Sequence, residues 1–324
     1  MTSMSEIGTM LADTAERLFA SHADAIDDAA RDGRWPAAAW AAVEESGLPL
    51  ALVPEEQGGF GVPAGEAMAL IRLTGRHALA LPLAETIIGN ALLAAAGLPL
   101  AEGPIGLADG AQARVPWGRF AQTLVYASGA DLHRCSSRGM ATEGSNLAGA
   151  PRDILSFSGG ESRAAAGASL LELGALARAL QMAGALERVL ELTVEHVSTR
   201  VQFGRPLAKF QAIQQELAKL AGEVAAASAA ADQAADAYVG GGDLGFAVAV
   251  ARARIGEAAG KANGIAHQLH GAIGFTREHA LHRLTTALWA WRDEFGTQRY
   301  WTLAIGKRAL EAGRDGYWPM VVAA

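Results

Sequence analysis

The sequence predicts a mainly α protein with three parts: an N-terminal all-α domain, a small middle β domain and a C-terminal four-helix bundle. Three observations carry this. Long Ala/Leu-rich runs whose apolar residues step by three or four occupy both ends of the chain. The texture changes between about residues 101 and 168, where short apolar pieces lie between Gly, Ser, Asp and Pro. Glycine and proline clusters separate the helical runs rather than interrupting them. The expected boundaries are 1–100, 101–168 and 169–324.

In chain order, residues 5–32 and 36–46 read as helices divided by the Gly33–Pro36 break. A turn-rich link, LPLALVPEEQGGFGVP (48–63), precedes two further helical runs at 64–78 and 83–96, the second stopped at Gly97-Leu98-Pro99. Ile105–Leu107, Thr123–Ala127 and Ile154–Phe157 are the strand candidates, and about seventy residues suffice for a reduced barrel or small sheet. From Ser169, the residues Leu176, Leu180, Ala183, Leu186, Leu190, Val194 and Val197 trace one helix face. After Gly204-Arg205-Pro206 a second face runs through Ile213, Leu217, Leu220, Val224 and Ala227 until the glycines 240–242 stop it. A third helix is expected over 244–270, and shorter ones over 277–291 and 297–312. Long antiparallel helices joined by tight turns make a bundle.

Bulk properties exclude several functions. The 324 residues are 51% hydrophobic, enough for sizeable cores. A net charge of −7 without any Lys/Arg block argues against nucleic acid, whose phosphates need concentrated positive charge. The single Cys135 cannot form an internal disulfide and suits a reducing compartment, so a cytoplasmic location is expected. No signal peptide is read, and apolar runs such as Ala91–Gly97 fall well short of the ~20 residues that span a bilayer. No Gly-x-Gly-x-x-Gly follows a strand and there is no Walker loop. His267/His270 and His279/His282 are spaced i, i+3, but no carboxylate completes a ligand set, so no metal is expected.

Two stretches stand out, TRVQFGRPLAKFQ (199–211) and QLHGAIGF (268–275), each at a meeting of helical runs and each placing a basic or amide side chain beside glycines. A guanidinium is a good diphosphate clamp, and glycines let a ligand approach the backbone. The same residues also fit blander roles. Arg200 suits a helix C-terminus, Gln211 and Gln268 suit the surface, and Gly271 and Gly274 suit a helix stop. Trp289, Trp291, Tyr300 and Trp301 read as core or subunit-contact aromatics.

With four ordered motifs, the chain resembles the acyl-CoA dehydrogenase family over most of its length. VPEEQGGFG (53–61) is similar to the family's VPE-x-x-GG-x-G link, RVQFGRPLAKFQ (200–211) to R-x-x-FG-x-x-x-x-x-x-Q, and QLHGAIGF to Q-x-x-GG-x-GF. EFGT (294–297) falls where that family has YEGT. The resemblance implies a tetramer that desaturates acyl-CoA thioesters using FAD, the ADP half of which is gripped by a neighbouring subunit's bundle. It gives Arg200 the pyrophosphate, and Phe203 and Gln211 the adenosine side. Gln268, Gly271, Ala272 and Gly274 complete the wall, and Thr297 also joins the cofactor residues. An acyl-CoA substrate is implied, with electron-transfer flavoprotein as a partner.

The chain departs from the family in three ways. Its β domain is short and lacks the T-E-P-x-x-G-S-D segment, RVPWGRF (114–120) beginning what sheet there is. Aligned without gaps from Gln268, the position of the catalytic Glu falls on Phe295, with Glu294 one residue earlier. Glu294 is thus the candidate base, and a solvated or salt-bridged charge is its competing role. In branches that carry the base on the first bundle helix, the position corresponds to Gly174. Such departures resemble subunits of heteromeric bacterial enzymes, in which one chain supplies base and flavin pocket and the other completes the ADP grip. The expected function is an FAD-dependent acyl-CoA dehydrogenase acting as one subunit of a homo- or heterotetramer. The alternative is a non-catalytic subunit completing a partner's FAD site.

Overall fold

The computed structural model describes residues 5–136, 141–156, 158–164 and 169–323, which form two compact units, Met1–Ala177 and Arg178–Ala324. The first unit begins with α1 (Glu6–Arg31), whose Leu11, Ala15, Phe19 and Ile26 form its buried stripe. Ser5 caps it, accepting the Gly8 amide at 3.0 Å. The Ser5 hydroxyl and amide in turn donate to Glu66 at 2.6 and 2.8 Å. That carboxylate lies in α3 (Ala64–Arg76), so one N-cap fixes two helices together. Between them comes α2 (Ala37–Glu45), and α4 (Leu83–Ala95) follows.

Every residue of α4 from Leu83 to Asn90 is buried, and Thr86 accepts the amide of Ile105 at 3.1 Å. Ile105 opens β1 (Ile105–Asp109), so this helix seats the sheet. β1 pairs in parallel with β3 (Thr123–Ser128). Beyond it lie β4 (Asp131–Ser136) and β7 (Glu161–Ala164), both antiparallel. A second sheet has the order β2 (Gln112–Pro116), β6 (Arg152–Ser156), β5 (Ala141–Thr142). The three expected strands are present, Phe157 lying outside the described residues. The sheet opens one strand before Arg114, at Ile105, and β4, β5 and β7 are additions that their polar sequences conceal.

A polar node holds the second sheet. Asp153 is fully buried and accepts from the Arg119 amide at 2.7 Å and from its guanidinium at 2.6–3.1 Å. Burial alone would raise the Asp153 carboxyl, but the Arg119 and Gly144 donors outweigh it and hold the group below its ordinary value. Beside this node Trp35, Trp117 and Phe120 form an aromatic cluster with centroids 5.2–5.7 Å apart.

Helix α5 (Leu170–Thr199) carries the chain into the second unit. Of the apolar face expected on it, Val194 is exposed and Leu190 half-buried. The stretch from Ala175 to Leu186 is instead buried on all sides, as befits an interior helix. Helix α6 (Gln211–Gly240) buries Leu220, Val224, Ala227, Ala231 and Ala234, a 4-3-4-3 stripe of mostly small residues that lets its neighbour approach. That neighbour is α7 (Leu244–His270), cross-linked to α6 by Glu223, which pairs with Arg254 and Lys261. Asp243 caps α7, accepting the Phe246 amide, and is gripped by Arg308. The last two helices are α8 (Leu281–Arg292) and α9 (Gln298–Ala323). α9 runs well past the expected end at 312, because the chain bends at Gly313 (φ 65°) and then resumes helical geometry.

Candidate cofactor-binding site

The site grows from two chain reversals. At the end of α5 the chain forms a hairpin of β8 (Val201–Gln202) and β9 (Arg205–Pro206). Its two central residues, Phe203 (φ 52°) and Gly204 (φ 78°), are both left-handed, the geometry of the tightest hairpin turns. For phenylalanine this is a strained conformation, and its side chain is 90% exposed, so no burial of its own compensates. Arg200 is pinned by its backbone, its amide donating to His196 O and its carbonyl accepting from Leu207, each at 2.9 Å. The second reversal ends α7. Gly271, at φ 65° and ψ −144°, turns the chain so that Ala272 and Ile273 face back toward the hairpin.

Between these reversals lies a cavity of about 490 Å³. His196, Arg200, Gln202, Leu207 and Ile213 form one side, and Gln268 through Ile273 the other. Four of the sequence-predicted residues, Arg200, Gln268, Gly271 and Ala272, are therefore brought together. Among the described residues nothing hydrogen-bonds or ion-pairs with the Arg200 guanidinium or the Gln268 amide. Gly274 lies behind this wall, where a Cβ would come within 2.9 Å of His270 Cβ and 3.1 Å of Leu281. Phe203 stands out from the hairpin with its ring 6.2 Å from that of Phe210, and Gln211 is exposed at the start of α6. Val201, Phe203, Ile273 and Phe275 leave an exposed apolar fringe around the opening.

Sequence reasoning missed His196, although it stands four residues before Arg200 and so on the same helix face. Its ring stacks on His270 (centroids 4.4 Å, 23°), and His279 meets His270 edge-on at 4.8 Å. Burial pushes His270 down to about 4, the neighbouring imidazoles adding to it against the Ala266 hydrogen bond. Burial, then His279 and Arg200, lower His196; burial lowers His279 against the pull of Glu195. In all three rings burial is the largest cause and disfavours the charged form.

Glu294 and Thr297 are not in this cavity. Glu294 is 3% exposed, and its Oε2 accepts from Arg178 Nε at 2.7 Å. Arg178 also donates to Gln181 and lies 5.5 Å from the Phe295 ring. Arg252, fully buried on α7, gathers the carbonyls of Trp291, Arg292, Glu294 and Gly296 at 2.9–3.1 Å around one guanidinium nitrogen. Thr297 caps α9 through Tyr300 N–H at 3.2 Å. Arg178 precedes His196 by eighteen residues of one helix, about 27 Å at 1.5 Å per residue. Arg178 was legible as a lone arginine inside an apolar helical run, which requires a buried partner, whereas Arg252 is masked by Arg254 two residues on.

Similarity to known proteins decides the family. Residues 5–98 match the acyl-CoA dehydrogenase N-terminal domain and residues 164–310 the acyl-CoA dehydrogenase C-terminal domain. The chain belongs to the acyl-CoA dehydrogenase family. It is therefore an oxidoreductase of a flavoprotein family. It is 31% identical over 289 residues to acyl-CoA dehydrogenase IpdE2 of Mycobacterium tuberculosis, covering 84% of this chain and 88% of that one. The IpdE2 of Mycolicibacterium smegmatis is 28% identical over 254 residues, 73% of this chain and 76% of its own. Among solved structures, the Tcur3481-Tcur3483 steroid ACAD superposes with a TM-score of 0.79 at 22% identity, covering 93% of this chain and 96% of that chain. The ChsE4-ChsE5 complex from Mycobacterium tuberculosis gives 0.75 at 21%, covering 94% and 97%. These structures share the fold.

Proposed function

We propose that this chain works as one subunit of an FAD-dependent acyl-CoA dehydrogenase, its cavity holding the ADP end of a flavin whose reacting ring lies in another subunit. One observation carries the reading. The uncommitted Arg200 and Gln268 face an open cavity, while the segment where the family carries its base stands about 27 Å away along α5. Arg200 would clamp the pyrophosphate, and Gly271 and Ala272 would admit it against the backbone. Phe203 and Gln211 would take the adenosine side, and Gly274, where a Cβ would crowd His270 and Leu281, would keep the wall thin. Bound there, FAD would supply hydride acceptance from the β-carbon of an acyl-CoA, chemistry that needs a carboxylate to remove the α-proton. In this chain the nearest carboxylate in sequence, Glu294, is committed to Arg178, and Phe295 fills the base's aligned place. That favours a half-site subunit whose base comes from a second, catalytic dehydrogenase chain.

The assembly is read as hetero-oligomeric and cytoplasmic, with electron-transfer flavoprotein as acceptor. The exposed fringe of Phe203, Ile273 and Phe275 supports a covering subunit. The buried, unpaired Cys135 suits a reducing compartment. Among the described residues no helix is long and apolar enough to cross a membrane. A bulky sterol-like acyl-CoA is the substrate to try first, since one structural neighbour is named a steroid ACAD.

The test is the flavin-to-protomer ratio of the chain purified alone and after co-expression with a catalytic dehydrogenase subunit. The expected result is a colourless protein alone and flavin at the shared interface in the pair, lost in Arg200→Met. About one tightly bound FAD per protomer in the isolated chain would overturn the half-site reading.

A further inference from the structure

We propose that His196, His270 and His279 form a metal site for one divalent ion of the zinc class, with an open coordination position toward the cavity. The three imidazoles converge from the last turn of α5, the end of α7 and the turn before α8, with one ligand nitrogen of each within 4.8 Å of the others. His270 is the anchor. Its Nδ1 lies 2.8 Å from the Ala266 carbonyl and so carries the ring proton. That leaves a lone pair on Nε2, which is buried and without a hydrogen-bond partner. This is how proteins orient a metal-binding histidine: the far nitrogen donates to a backbone carbonyl, and the near one is left for the ion. Without an ion, Nε2 is a buried polar atom with nothing to bond, which is disfavoured.

The rings of His196 and His279 are half-exposed and have room to turn toward the ~2.0–2.1 Å bonds that zinc requires. One local bond must open. The Leu281 amide donates to His279 Nδ1 at 3.1 Å, and binding through Nε2 moves that ring's proton to Nδ1. The charges nearby are balanced, Glu195 facing His279 and Arg200 facing His196. Imidazole donors select zinc, nickel or copper over magnesium and calcium. Three protein ligands leave a fourth position for water or for an oxygen of whatever occupies the cavity. This inference does not rest on the flavin reading, because its measurements involve neither flavin nor turnover.

The experiment takes the full-length chain without an affinity tag, strips it with chelator and titrates it with Zn²⁺. One equivalent per chain is expected, and the X-ray absorption of the zinc form should show imidazole scatterers at ~2.0–2.1 Å. His196→Ala and His270→Ala should each weaken binding by at least about 100-fold, since losing even an outer-shell partner can cost that much. His22→Ala, in α1 of the first unit, should leave it unchanged. Failure to bind an equivalent, or binding unaltered in His270→Ala, would overturn the proposal. Should the variants fail to fold by circular dichroism, the wild-type absorption spectrum decides, fewer than two imidazoles at the zinc refuting the site.

Discussion

At the scale of single residues, the telling feature is how two buried arginines are spent. Arg178 neutralises Glu294, and Arg252 collects the carbonyls that end α8, so the segment aligned with the family's base is fixed by charge from beneath. Removing one partner of a buried pair strands the other. Glu294→Ala should therefore destabilise the protein by ~3–5 kcal/mol, whereas the double change Arg178→Met with Glu294→Leu should cost far less. Chemical denaturation of the two variants checks this, and equal losses would mean the pair is not coupled. Glu294→Gln should leave the turnover of the assembled enzyme within about twofold once the protein is folded; a loss of 100-fold or more would restore Glu294 as base. The sequence offers Glu294 as the first residue of the YEGT-like EFGT but is silent on its partner. The pairing joins residues 116 positions apart, which periodicity does not reach.

At the scale of elements, the helices were legible because their apolar spacing is their tertiary address. α1, α3, α4, α6 and α7 fall within a few residues of expectation. β4, β5 and β7 were not, since DLHRCS, AT and ESRA carry too few apolar residues to announce a strand and are held by their neighbours' ladders. The cavity was half legible. Its glycines and Arg200 sit in recognisable motifs, while His196 and His279 join His270 only through the packing of α5 against α7. The polar node on β6 yields a pH prediction. Asp153 is held below its ordinary carboxyl value of 3.8, so its stabilisation is complete above that value and fades as pH falls through the folded one. Asp153→Asn should thus be less stable than wild type by about 3 kcal/mol at pH 7, with the gap closing below pH ~4. Denaturation midpoints measured at both pH values test it, and a gap that persists in acid would show that the carboxylate charge is not the cause.

At the scale of the whole molecule, apolar surface is concentrated where an isolated chain gains nothing from it. Leu303, Leu310, Trp318 and Val322 are all more than 60% exposed along α9. A chain that assembles as proposed would cover them, and patches of this kind mark interaction sites. Leu310→Glu combined with Trp318→Glu should shift the assembly to smaller particles in light scattering while leaving the circular dichroism spectrum intact. An unchanged mass would place the subunit contact elsewhere. The continuity of α5 has its own consequence for anyone dividing this gene. The division between the two compact units falls after Ala177, eight residues into α5, and Ala175, Leu176, Ala177, Ala179, Leu180 and Met182 are all buried. A cut there would leave the first eight residues of α5 on one fragment and the other twenty-two on the second, with apolar side chains of an interior helix in water. Fragments overlapping across 170–199 are the ones to expect in soluble form, and complementation between such pieces would succeed only when one of them keeps α5 whole.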